Sequence, residues 1–101
     1  MKKMFLSLAA LLAASAPSIA SAADIAAGKA KAGICGSCHG AAGISAIASY
    51  PNLAGQKEAY LAKQLRDFKS GVRKDAAMAS MAKMLSDTDV ANISAYYASL
   101  K

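Results

Sequence analysis

Apolar residues recur with the period of a helix through the second half of the chain. Leu61, Leu65 and Phe68 stand at i, i+4 and i+7, which predicts a helix from Lys57 to Ser70 with Gly71 as its C-terminal stop. A second stripe, Val90, Ile93, Tyr97 and Leu100 with Tyr96 beside it, predicts the last helix. Ser86 is its N-cap with Asp89 at N3, a Ser-x-x-Asp variant of the capping box, and Asp87 and Asp89 both oppose the helix dipole. The tyrosines are read as core packing. Between the two stripes, Met78, Met81 and Met84 fall at i, i+3 and i+6, a spacing that fits one face of a third helix, where thioethers fill gaps.

Further back, Asp24 is the N-cap of a helix expected to run into Cys35. Its small residues, Ala27, Gly28 and Ala32, permit close approach of another helix. Gly40-Ala41-Ala42-Gly43 is flexible enough to turn the chain, and Ile44 to Tyr50 has no clear period. Pro51 then fixes the backbone and disfavours helix at Tyr50.

Composition agrees with the pattern. From residue 23 onward there are two Val, one Thr and five Ile against a great excess of Ala, Leu, Lys and Met, which argues for an all-α fold without strands. The length of 101 residues allows one domain. The start reads as a leader: Met1-Lys2-Lys3, an apolar run from Met4 to Ala14, and Ala20-Ser21-Ala22 as an A-x-A-like cleavage site. That run is too short for a permanent membrane span. Residues 1–22 are therefore expected to be a secretory signal, with cleavage after Ala23 also open, leaving a periplasmic domain over 23–101. A domain this small commonly needs a staple.

Without Lys2 and Lys3 the chain keeps ten basic side chains against six acidic ones, a net charge of +4. A basic surface favours acidic partners. There is no aromatic interleaving or Arg clustering of the kind nucleic-acid binding requires. Lys57, Lys63, Arg66 and Lys69 lie mainly off the apolar stripe, followed by Arg73 and Lys74; they read as a solvated helix face, with a docking patch as the alternative.

The candidate chemistry is packed into five residues. Cys35-Gly36-Ser37-Cys38-His39 holds the only cysteines and the only histidine, and C-x-x-C-H is the attachment pattern of c-type haem. Two thiols form thioethers with the porphyrin vinyl groups, and the adjacent imidazole becomes the proximal iron ligand. Three rivals fit less well. A thioredoxin-like pair would follow a strand. A structural zinc needs four ligands. A Cys35–Cys38 disulfide would close a small strained loop and leave His39 unexplained. With no second histidine, a thioether is the natural sixth ligand, which raises the reduction potential; spacing leaves Met78, Met81 and Met84 open. A carbonyl in the rigid segment from Tyr50 to Gln56 can accept the His39 Nδ1–H and orient the ring, although an ordinary turn is the simpler reading of that segment.

In this order the features resemble the class I cytochromes c, most closely a single domain of the cytochrome c4 / c553-like group. The likeness rests on Gly28, Cys35-Gly36-Ser37-Cys38-His39-Gly40, Pro51-Asn52-Leu53-Ala54-Gly55-Gln56, Tyr60-Leu61 with Gln64-Leu65, Met78 and Met81 before Leu85-Ser86-Asp87, and Ala95-Tyr96-Tyr97. It implies first and last helices that cross near Gly28 and Tyr96 around one covalent haem. Cys35 and Cys38 become the thioether sites, His39 the proximal ligand and Pro51 the carbonyl that orients it. Met78 becomes the distal ligand, with Met81 as runner-up. The c4 proteins carry two haem domains, whereas this sequence has one motif, so it is expected to be a monohaem relative. The resemblance implies a non-enzymatic carrier of single electrons between respiratory oxidoreductases, loaded by the c-type cytochrome maturation machinery. The alternatives are a haem subunit of a stable periplasmic dehydrogenase complex, or a gas-binding or peroxidase-like haem protein.

Overall fold

A computed structural model describes residues 22–101 of the chain. The expected leader lies outside the described residues except for Ala22. The described residues form five helices and no strand: α1 (Ile25–Lys31), α2 (Gly33–His39), α3 (Glu58–Ser70), α4 (Ala76–Lys83) and α5 (Asp87–Ser99). None of them is long and apolar enough to cross a membrane.

The frame is the crossing of α1 and α5. Gly28 is the reason it can be so close: a Cβ there would stand 2.0 Å from the carbonyl oxygen of Asn92 and 3.0 Å from Cβ of Tyr96. The entry to α1 is fixed twice, because Asp24 Oδ1 accepts from Ala27 N at 3.0 Å while Asp24 N donates to the buried Asn92 Oδ1 at 2.8 Å. Helix α5 starts with the full capping box, Ser86 Oγ accepting from Asp89 N and Asp89 Oδ2 accepting from Ser86 N, each at 3.0 Å. Its apolar face, Val90, Ile93, Tyr96 and Tyr97, joins Ala32, Leu61 and Leu85 in one buried cluster. Burying side chains of this size contributes about 1.5–3 kcal/mol each, so this cluster is the main source of stability.

The helix expected to run unbroken from Asp24 to Cys35 is two helices. At Ala32 ψ closes to −8°, and the Ala32 carbonyl accepts from Cys35 N at 2.9 Å and Gly36 N at 3.2 Å. The cause is tertiary. Ala32 is pressed into the core, and its carbonyl is also the acceptor for the Tyr97 hydroxyl at 3.5 Å. Helix α3 follows its apolar stripe and ends where Gly71 takes φ +86°, a left-handed turn that suits glycine. Helix α4 begins at Asp75, whose Oδ1 accepts from Met78 N at 2.8 Å. Among the helices, α4 runs beside α3 and α2 beside α1, with the Cys35 side chain of α2 reaching Tyr97 of α5.

Candidate functional site

The five-residue motif occupies α2 and ends it. Cys35 is half-buried against the core, Cys38 is exposed, and both are free thiols. Burial pushes the Cys35 thiol up, with the Tyr97 hydroxyl beside it acting in the opposite sense. A redox-active cysteine needs a lowered pKa in an electropositive setting, and burial moves Cys35 the other way. Among the described residues no three His, Cys, Asp or Glu side chains converge on one point, and a structural zinc therefore lacks its donor set.

His39 closes α2 and is 7 % exposed. The chain leaves through Gly40 at φ +87°, where a Cβ would meet the Ile44 carbonyl oxygen at 1.9 Å, so only glycine fits this exit. The loop that follows returns to the imidazole: His39 Nδ1 donates to the Pro51 carbonyl oxygen at 2.8 Å. A carbonyl can only accept, so the proton sits on Nδ1, and in the neutral ring the lone pair is then on Nε2, the form in which imidazole binds a metal.

That carbonyl is held firmly in place. Gly43 O accepts from Leu53 N at 2.8 Å and Ala54 N at 3.0 Å, just beyond Pro51. Just before Leu53, the Asn52 side chain accepts from Ser45 N at 2.7 Å. The loop is in turn tied to α5, since Gly55 N donates to Tyr97 O at 2.9 Å and Gly43 is buried against the Tyr97 ring. Tyr97 thus touches the α1/α2 break, the Cys35 thiol and the Pro51 loop at once. Reading both tyrosines as core packing captured its burial and missed these polar contacts; a local sequence pattern carries no sign of partners more than 40 residues away. The Ser45–Asn52 bond spans only seven residues, but the segment from Ile44 to Tyr50 has no period that would disclose it.

Of the three methionines, Met84 is at the C-cap of α4 and 59 % exposed, whereas Met78 and Met81 are half-buried on the helix itself. Ile44, Ile47 and Tyr50 form a run of exposed apolar residues on the loop, with the Tyr50 ring 6.2 Å from that of His39. The residues fit a covalent haem. Two unpaired thiols and a buried imidazole presenting Nε2 lie on one helix, apolar side chains outside the core lie on the next loop, and half-buried thioethers lie on a helix that does not touch α2.

The family described as cytochrome c matches residues 25–101 of this sequence. The chain belongs to the cytochrome c family. Within it, the chain is 49 % identical over 102 residues to a cytochrome c4 of Pseudomonas aeruginosa, covering 100 % of this chain and 50 % of that protein. It is 46 % identical over 81 residues to cytochrome c-554(548) of Halomonas halodenitrificans, covering 77 % of this chain and 98 % of that protein. The fold is similar to that of reduced recombinant cytochrome c4 from Pseudomonas stutzeri, with a TM-score of 0.75 and 44 % identity over 79 % of this chain and 47 % of that one. The chain thus spans about half the length of the cytochromes c4 it matches, and it falls in the c4/c553 group of class I c-type cytochromes. Covalently bound haem c is the cofactor of this family.

Proposed function

We propose that this chain is a periplasmic carrier of single electrons that holds one haem c. Cys35 and Cys38 form the thioethers, His39 is the proximal ligand, Pro51 orients it, and Met78 is the distal ligand with Met81 next in line. The observation that carries this reading is the His39 Nδ1–Pro51 hydrogen bond, which fixes the ring and frees Nε2 on the same helix as both thiols. Haem c, when bound, supplies a one-electron iron couple. With His39 and a methionine as its two iron ligands, a bound haem would leave no place for substrate, and the chain's task would be to hold, orient and shield it.

Charge supports an acidic redox partner. Asp24, Asp75 and Asp89 are spent as helix caps, Asp67 pairs with Lys63, and Glu58 and Asp87 occupy the first positions of α3 and α5. Lys57, Arg66, Lys74 and Lys83 are exposed, which leaves the outward field positive. Export to the periplasm rests on the leader read over residues 1–22.

The test is to load the protein with haem in a c-type maturation background, record oxidised and reduced spectra, and add carbon monoxide to the reduced form. A low-spin spectrum that carbon monoxide leaves unchanged is expected. Prompt carbon monoxide binding would move the protein to the gas-binding or peroxidase-like class, and tight co-purification with a second subunit would make it part of a dehydrogenase complex. In the same spectra Met78→Ala is expected to abolish the methionine–iron charge-transfer absorption and Met81→Ala to keep it; the reverse transfers the ligand to Met81.

A further inference from the structure

The basic run on and after α3 has a use that its spacing does not disclose. Lys63 pairs with Asp67 on the same face. Lys69, however, reaches out of its own helix: its half-buried ammonium donates to the carbonyl oxygen of Leu85, sixteen residues further on in the link between α4 and α5. Arg73 works at the other end of the same segment. Its guanidinium lies 4.5 Å from the centroid of Phe68 and donates to Gln64 Oε1 at 2.8 Å, while its backbone N–H donates to Asp67 O at 3.0 Å. The stretch from Gly71 to Ser86, which contains α4 and every candidate distal methionine, is thus a strap laid along α3 and moored to it at both ends.

Little else holds the strap. α4 touches no helix except α3, and within 76–86 only Ala82 and Leu85 are buried. Leu85 is the residue whose carbonyl Lys69 holds, and its side chain belongs to the core cluster. The Lys69 side chain is half-buried along this path, and its ammonium is directed at that one carbonyl.

We propose that Lys69, seconded by Arg73, is a positioning residue for the distal ligand: it fixes the strap so that the α4 methionine stays on the iron. The inference rests on the reading that a methionine of α4 is that ligand. An outside ligand can occupy the distal position only in molecules whose methionine has left. Its apparent affinity therefore reports the fraction with the methionine off, and a looser strap raises that fraction.

The experiment uses the haem-loaded ferric protein at one pH and titrates imidazole against loss of the methionine–iron charge-transfer absorption, with denaturant midpoints measured in parallel. Lys69→Met keeps the apolar stem and removes the donor. It is expected to raise apparent imidazole affinity about tenfold, the lower end of what a hydrogen bond from a charged donor is worth. Lys69→Arg, which restores a donor, should recover most of the wild-type value; Arg73→Gln should shift affinity in the same direction by less. Lys74→Met, which removes a neighbouring exposed cation, should leave it unchanged. Wild-type imidazole affinity in Lys69→Met overturns the proposal, even where the denaturant midpoint falls, because Lys69 then serves stability alone. Equal shifts in Lys69→Met and Lys74→Met also overturn it, since net charge would then be the cause. Survival of the charge-transfer absorption in each of Met78→Ala, Met81→Ala and Met84→Ala is a separate failure, of the ligand reading itself, and removes the basis of the inference.

Discussion

The α1/α5 crossing and the α2/α4 pair are built on different principles. At the crossing, two helices interlock around Gly28, and Val90, Ile93, Tyr96 and Tyr97 of α5 are almost completely buried. α2 and α4 are short, α4 rests on α3 and α2 on α1 with Cys35 reaching α5, and their side chains are mostly half-buried or exposed. What places them is a set of point attachments: Pro51 O on His39, Tyr97 on the Ala32 turn, Lys69 on Leu85 O. Packing resists deformation collectively, whereas a point attachment can be removed alone. Changes at the crossing should therefore alter global stability, and changes in the α2/α4 half should alter the cofactor's environment first.

The largest expected effect is at the crossing. Gly28→Ala forces a Cβ to within 2.0 Å of the Asn92 carbonyl oxygen, which is backbone and has no rotamer to retreat into. Overpacking of this kind costs about 3 kcal/mol, read as a fall in the denaturant midpoint of the loaded protein. A variant within about 0.5 kcal/mol of wild type would mean that the two helices can slide apart freely, and the contrast between the two halves would disappear.

Tyr97 joins the halves and gives a smaller test. Tyr97→Phe keeps the ring against Gly43 and removes a hydroxyl that donates to Ala32 O at 3.5 Å. Ala32 O still accepts from Cys35 N and Gly36 N, so no buried acceptor is orphaned and the loss should be about 1 kcal/mol or less. Thermal unfolding of the loaded protein measures it. A loss as large as that of Gly28→Ala would show that the hydroxyl, and not the packing, holds α2.

The same division explains what the sequence discloses. The stripes of α3 and α5, the Ser86/Asp89 box, the Gly71 stop and the small residue at position 28 are local patterns, and each is found where the pattern puts it. The break at Ala32 is not local: it depends on a tyrosine 65 residues away. The mooring by Lys69 is not local either, and a lysine off the apolar stripe looks the same whether it is solvated or bound to a carbonyl. The C-x-x-C-H motif announces its cofactor because the chemistry needs adjacent residues. The methionine proposed as distal ligand is not announced in this way, because three thioethers at helical spacing are equivalent until the fold exposes Met84 and half-buries the other two.

A pH effect belongs to the crossing as well. Asp89 is held below the ordinary carboxylate value first by the Ser86 backbone N–H it accepts, with the Ser86 hydroxyl and Lys31 assisting. A carboxyl whose folded pKa is depressed stabilises the fold at pH above its unfolded value, and loses that contribution as pH falls through the folded value. Acidification through and below the ordinary carboxylate range should therefore weaken the start of α5, seen as a falling thermal midpoint. Asp89→Asn can still accept the Ser86 N–H but does not titrate, so it should flatten that acid limb and change stability at neutral pH only slightly. An unchanged acid limb would place the titrating group elsewhere.

The smallest effect, and one of opposite sign, is expected inside the packed half. Ser94 is fully buried on α5, and among the described residues its hydroxyl has no hydrogen-bond partner. An unsatisfied buried hydroxyl costs free energy, and alanine is the better helix former. Ser94→Ala should therefore raise the unfolding midpoint, by about 1 kcal/mol or less, and leave the haem spectrum unaltered. A loss of stability of that size would instead reveal a bound water as the missing partner, and the crossing would then depend in part on the kind of point attachment that holds α2 and α4.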